Sequence, residues 1–209
     1  RGKAQAAIEY RDFIQFYPNT PEAREVERKL AVLSTLTPYK KWMDEEVAYI
    51  ISDEERKAFR QRPTADEGEK FIEQFWARRD PTPGTTRNEM KEEYYRRLAY
   101  VNDHYGANGL AGWRTDRGRI YIQYGPPDAI ESHSTGGLYQ RPASEGGGLT
   151  QTYPFEQWMY RYIDGVGQNI IIEYVDQSGN GEYRMTMDPQ AKDALIQQIP
   201  VAPAPVNSR

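Results

Sequence analysis

The chain is 209 residues long, carries 27 Lys and Arg against 31 Asp and Glu for a formal net charge of −4, and has no cysteine. That balance argues against a nucleic-acid binder, whose footprint is a basic face. The lack of cysteine removes disulfides, thiol catalysis and Cys-ligated zinc or iron–sulfur centres.

Mean hydropathy is −0.88, and no apolar run approaches the roughly 20 residues of a membrane helix. The first residue is Arg1 rather than Met, which reads as a processed piece of a longer product. Any membrane association would then come through a missing N-terminal part.

Residues 4–17 place Ala4, Ala7, Tyr10, Phe13, Ile14 and Tyr17 at helical spacing, ended by Pro18. Thr20 and Pro21 give an N-cap and a proline at the first helical position, so a second helix is predicted to about Leu33. Residues 1–35 therefore read as a helical hairpin. Thr37-Pro38 opens a helical stretch to about Ile51. Ser52-Asp53-Glu54-Glu55 is a capping box, and Thr64-Ala65-Asp66-Glu67 repeats it before a helix with Phe71, Ile72, Phe75 and Trp76 on its apolar face. Asp80-Pro81-Thr82-Pro83-Gly84 stops that helix. Thr86 with Glu89 starts the next, which carries Met90, Tyr94, Leu98, Val101 and Tyr105 to Gly106.

Past residue 110 charge thins out, and glycine, aromatic and β-branched residues gain. Residues 119–124 read as a strand stopped by Gly125-Pro126-Pro127, and residues 132–152 as a long surface loop. Residues 155–163, 169–175 and 182–187 read as three further strands. Asp164-Gly165-Val166-Gly167 and Ser178-Gly179-Asn180-Gly181 join them as hairpin turns. Asp188-Pro189 caps a last helix to about Ile199, followed by a Pro/Ala-rich tail or linker over 200–209. The expected fold is α+β: a helical N-terminal part packed on an antiparallel sheet of about four strands. The expected domains are 1–35, 36–199 and 200–209.

The densest block runs from Trp113 to Asp128. Trp113 can anchor a loop by burying its ring, Thr115 and Asp116 can fix a turn through local amides, and Arg114 and Arg117 can clamp a carboxylate or phosphate. Asp116, Asp128, Glu131 and His133 make the candidate acid/base or hard-metal set. With two histidines in the chain, multi-histidine zinc is excluded. His133 stands between serines, yet no Gly-x-Ser-x-Gly elbow accompanies it. Asp176, Ser178 and Asn180 match the start of a calcium loop, although Met187 stands where its closing Glu belongs. A hairpin turn explains the same residues. Neither glycine cluster, at 136–137 or 146–148, has the Lys-Ser/Thr of a phosphate loop. Tyrosine and arginine are enriched at interfaces, so Tyr10, Tyr17, Tyr139 and Arg141 join Trp113, Arg114 and Arg117 as interaction candidates.

The segment Ala7 to Asn19 resembles the second helix of a tetratricopeptide repeat, which cannot bury its face alone. Gly112-Trp113-Arg114-Thr115-Asp116, continuing through Tyr124-Gly125-Pro126-Pro127-Asp128, resembles the signature of the bacterial GWxTD-domain family. Phe75-Trp76-Ala77-Arg78-Arg79-Asp80 upstream and Tyr153-Pro154-Phe155-Glu156-Gln157-Trp158 downstream fit it too, so the likeness covers roughly residues 36–198. It implies a periplasmic, outer-membrane-associated or secreted location and no particular chemistry. Tyr124 to Asp128 followed by Trp158-Met159-Tyr160 is also loosely similar to small outer-membrane assembly lipoproteins. The expectation is a non-catalytic interaction or scaffold module, without cofactor, bound to protein partners in a larger complex. The alternatives are a metal-assisted hydrolase using the Asp/Glu/His set, and a carbohydrate- or peptide-binding module.

Overall fold

The computed structural model describes residue 16 and residues 20–26, 39–61 and 65–194. The predicted hairpin over 1–35, with Tyr10 and Tyr17, lies outside them except for Phe16, Thr20 and a short helical piece over 21–26. Thr20 caps that piece as its sequence suggests, its Oγ1 accepting from the Ala23 N–H at 3.0 Å. The 200–209 tail also lies outside the described residues. The chain divides into two compact units, Arg1–Tyr100 and Val101–Arg209.

The first unit is helical. A π turn, Trp42–Glu46, precedes α1 (Asp53–Arg60), α2 (Ala65–Ala77) and α3 (Glu89–His104), whose last turn falls in the second unit. Ser52 closes the predicted capping box on α1. Asn88, rather than Thr86, opens α3, its Oδ1 accepting from the Lys91 N–H at 2.8 Å. An N-cap carbonyl on the residue just before the helix reaches the third amide, which the more distant threonine cannot do.

Apolar residues spaced at three and four turn their rings to one side, and the core here is rich in aromatic rings, with Met43, Val47 and Ile51 among them. Trp42, Phe59, Phe71, Phe75, Trp76 and Tyr94 are buried. Trp42 stands 5.1 Å from both Phe59 and Phe75, and Phe59 stands 5.1 Å from Phe71. Arg79 lies 3.7 Å over the Phe75 ring and pairs with Glu55 at 2.7 Å, with Arg78 on the other Glu55 oxygen at 2.9 Å. Burial would raise the Glu55 carboxyl; the bonds from Arg79, the Ser52 amide and Arg78 outweigh it and hold the group at about 2.

The second unit holds α4 (Asp116–Tyr124) and β1 (Ala129–His133), β2 (Gly137–Gln140), β3 (Leu149–Thr152), β4 (Phe155–Ile163), β5 (Gly167–Val175) and β6 (Arg184–Thr186). A four-stranded sheet runs β1-β4-β5-β6, every pair antiparallel, and β2-β3 form a separate hairpin. Trp158, Tyr160 and Tyr174 fill the core with Tyr105, Ile120 and Ile122. Trp158 sits between Ile130 and Ile172 in register, with Tyr105 at 5.5 Å and Tyr174 at 5.0 Å.

The α+β architecture and the count of four strands hold, but three assignments change. Residues 119–124 are helical: Thr115 caps the turn, and Ile120 and Ile122 are both buried, so their alternation reflects burial on two helix faces. The strand they were expected to supply is instead β1, at the sheet edge. Residues 132–152 are the end of β1 and the β2-β3 hairpin, not an open loop. Residues 188–194 make turns, because their backbone is engaged elsewhere: the Tyr153 N–H donates to Lys192 O and the Ala194 N–H to Gln151 O, both at 2.8 Å.

Candidate functional site

The signature block folds into a corner in which nearly every residue has an internal task. Gly112 packs against the last turn of α3 so closely that a Cβ there would lie 1.7 Å from the Val101 carbonyl oxygen. At Gly118 a Cβ would lie 1.9 Å from the Gly112 carbonyl oxygen. Both neighbours are backbone, so only glycine fits. Thr115, buried between them, accepts from the Gly118 N–H at 3.0 Å and donates to Gly112 O at 2.7 Å.

Asp116 reaches β6: its Oδ2 accepts from the Met185 N–H at 2.9 Å, and its Oδ1 is 3.6 Å from Arg119. Arg117 is buried and faces inward. It pairs with Glu156 at 3.1 Å and lies 4.1 Å over the Tyr183 ring and 4.9 Å over Tyr105. Glu156 in turn accepts from Trp158 Nε1 at 3.0 Å. The signature thus ties α3, α4, β4 and β6 together, and Arg117 is a fastener of the fold rather than the surface contact expected from sequence. Trp113 and Arg114 are the outward part: the Arg114 guanidinium lies 5.0 Å over the half-buried indole.

Of the four proposed acid/base residues, Glu131 and His133 meet each other, while Asp116 and Asp128 are engaged by other partners. Asp116 belongs to the corner. Asp128 accepts from the Arg161 N–H at 2.8 Å and from its Nε at 2.7 Å, which holds its carboxyl below the usual range. Glu131 and His133 meet at 2.8 Å, with His133 stacked 4.3 Å on Phe155. Asp128 and His133 flank opposite ends of β1, and Asp116 serves the far edge of the sheet. Among the described residues no group of three or more His, Asp or Glu could hold a metal ion.

The calcium candidates close on themselves. Asp176 accepts from the Asn180 N–H at 3.2 Å and the Gly181 N–H at 2.7 Å, and Asn180 Oδ1 accepts from the Glu182 N–H at 2.9 Å. The side-chain oxygens of Asp176 and Asn180 are thus spent on a tight turn.

Alternation decides the fate of the hairpin candidates. Tyr139 points inward onto Phe155 at 5.1 Å, and Arg141 pairs with Asp193. Their neighbours of opposite parity face out: Leu138, Gln140, Leu149 and Gln151 share one side in register. Leu138 is 76 % and Leu149 65 % exposed.

Beneath the hairpin lies a cluster the sequence did not mark. Lys192 is 0 % exposed, and its Nζ stands 2.7 Å from Glu173 Oε2 and 2.8 Å from Glu145 Oε2. Gln157 Nε2 donates to the same Glu173 oxygen at 2.7 Å, while Glu173 Oε1 is buried without a hydrogen-bond partner. The rings of Phe155 and Tyr139 close the chamber, 5.3 and 5.6 Å from Nζ. Burial alone would lower the lysine; its bonds to Glu145 and Glu173 outweigh that and raise it. Nothing in one lysine of a turn-rich segment announces such burial, and the expected helix over 188–199 hid it.

No helix among the described residues is long and apolar enough to cross a membrane. The sequence model of the GWxTD domain matches residues 28–199, well over half of the chain. No curated protein and no solved structure matches the chain significantly.

Proposed function

The chain belongs to the GWxTD-domain family, and from that premise we propose that it is a non-catalytic interaction module of a larger protein complex in a bacterial cell envelope or secretion. The observation that carries the reading is the outward face of the β2-β3 hairpin, where Leu138 and Leu149 lie diagonally across the two strands, both exposed to water. Large apolar side chains gathered on one exposed face mark a contact surface. Trp113 with Arg114 over its ring adds a second contact of the type enriched at interfaces. The signature's Thr115, Asp116 and Arg117 are consumed by internal bonds, which favours scaffold over enzyme. The envelope location rests on the resemblance of the signature to a family of exported proteins.

The test is native purification of the chain from its source with a parallel Leu138→Asp/Leu149→Asp variant. A stoichiometric companion is expected with the parent and lost with the variant, whose far-UV circular dichroism and melting temperature stay as in the parent. A parent that purifies alone as a monomer, or a variant that keeps the companion, overturns the reading.

A further inference from the structure

We propose that Lys192 and Glu173 form an intramolecular isopeptide bond, with Glu145 carrying the protons and Gln157 holding the acyl oxygen. The inference is independent of the interaction reading.

The four parts of an acyl transfer are present in one cluster. The nucleophile is Lys192 Nζ, fully buried and 2.7 Å from the Glu173 carboxylate. The electrophile is Glu173 Cδ, on a strand inside the sheet. The donor to the developing oxyanion is Gln157 Nε2, already 2.7 Å from Glu173 Oε2. The proton carrier is Glu145, whose Oε2 lies 2.8 Å from Lys192 Nζ. Glu173 Oε1, buried and without a partner, is the oxygen that departs.

The charged arrangement is the resting one, and the reacting state is an excursion from it. With Lys192 fully buried under aromatic rings, separated charges there lose most of their hydration, so the neutral amine–acid pair becomes accessible. One proton passes from Nζ to Glu145 Oε2, 2.8 Å away, and from there to Oε1. The neutral nitrogen attacks Cδ while Oε2 takes up charge against the Gln157 N–H. Glu145 accepts a second proton from nitrogen and delivers it to Oε1. The C–N bond forms, the C–Oε1 bond breaks and one water leaves. Nitrogen keeps one proton, and Glu145 ends ionised as it began. No oxidant, reductant or other reactant is required. Holding both groups in contact replaces a bimolecular encounter, an advantage measured in effective molarities of about 10⁵ M or more. The product removes two buried charges, whose desolvation is the main cost of the unreacted cluster.

The full chain, purified in its folded state, provides the test. Its intact mass is expected to fall below the sequence mass by one water. Trypsin is expected to leave the bond after Lys192 uncut under denaturing conditions, and tandem mass spectrometry to join the Lys192 peptide to the Glu173 peptide. Lys192→Met is expected at full mass. Glu145→Gln, which leaves both reacting groups in place, is expected at full mass with parental circular dichroism. A folded parent at full mass, with Lys192 cleaved normally, overturns the proposal whatever the variants do. A link from Lys192 to Glu145 overturns the assignment of acceptor and carrier.

Discussion

Ser52 and Thr115 both open a helix by accepting a hydrogen bond from the third residue along, and they differ in what surrounds them. Ser52, in the helical unit, is exposed, and its partner Glu55 returns the bond at 3.0 Å before turning to Arg78 and Arg79. Thr115, in the sheet unit, is 4 % exposed and uses its hydroxyl twice, as acceptor and donor, between two glycines that admit no side chain. The first cap trims a helix whose place is set by rings. The second is part of what sets the place. Stability in the helical unit should therefore be spread over many apolar contacts, and in the sheet unit concentrated in a few polar ones.

The hardest blow to the sheet unit is Gly112→Ala, because the obstructing atom is a backbone carbonyl. It should cost about 3 kcal/mol or more in denaturant unfolding, and a variant as stable as the parent would break the comparison. Arg117→Met strands Glu156 in the interior and should cost about 3 kcal/mol, part of it recovered by adding Glu156→Gln. Thr115→Ala should cost about 2 kcal/mol, the upper end for a cap, with Thr115→Ser nearly neutral. On the helical side Glu55→Gln should cost about 1.5 kcal/mol. The folded Glu55 value of about 2 lies below its ordinary 4.5, so its contribution is complete above pH 4.5 and is lost as pH falls through 2. Parent and Glu55→Gln should therefore differ at pH 7 and converge near pH 2. Ser52→Ala should cost least, about 1 kcal/mol, and equal losses at Ser52 and Thr115 would erase the distinction drawn between them.

The helical unit was largely legible because its signals are local: a capping box at Ser52, proline after Asp80, rings at helical spacing. The sheet unit was legible where strands alternate and turns are rich in glycine, as in β4 and β5. It misled where tertiary context overrides local pattern. Ile120 and Ile122 look like strand residues, yet Thr115 and Gly118 impose a helix on them. β1 has no apolar alternation because its strand lies at an edge with most side chains in water. Tyr139 and Arg141 were chosen by residue type, but pairing parity sends them inward and exposes Leu138 instead. Lys192 had no local signal, since its burial depends on a hairpin fifty residues earlier in the chain.

Asp116 has one more consequence. The Met185 N–H that it holds points away from β5, along the rim where another molecule could lengthen the sheet. A carboxylate seated there takes up an amide that a further strand would otherwise pair with. The last letter of the signature thus both pins the corner to β6 and occupies a hydrogen-bonding position on the rim of the sheet.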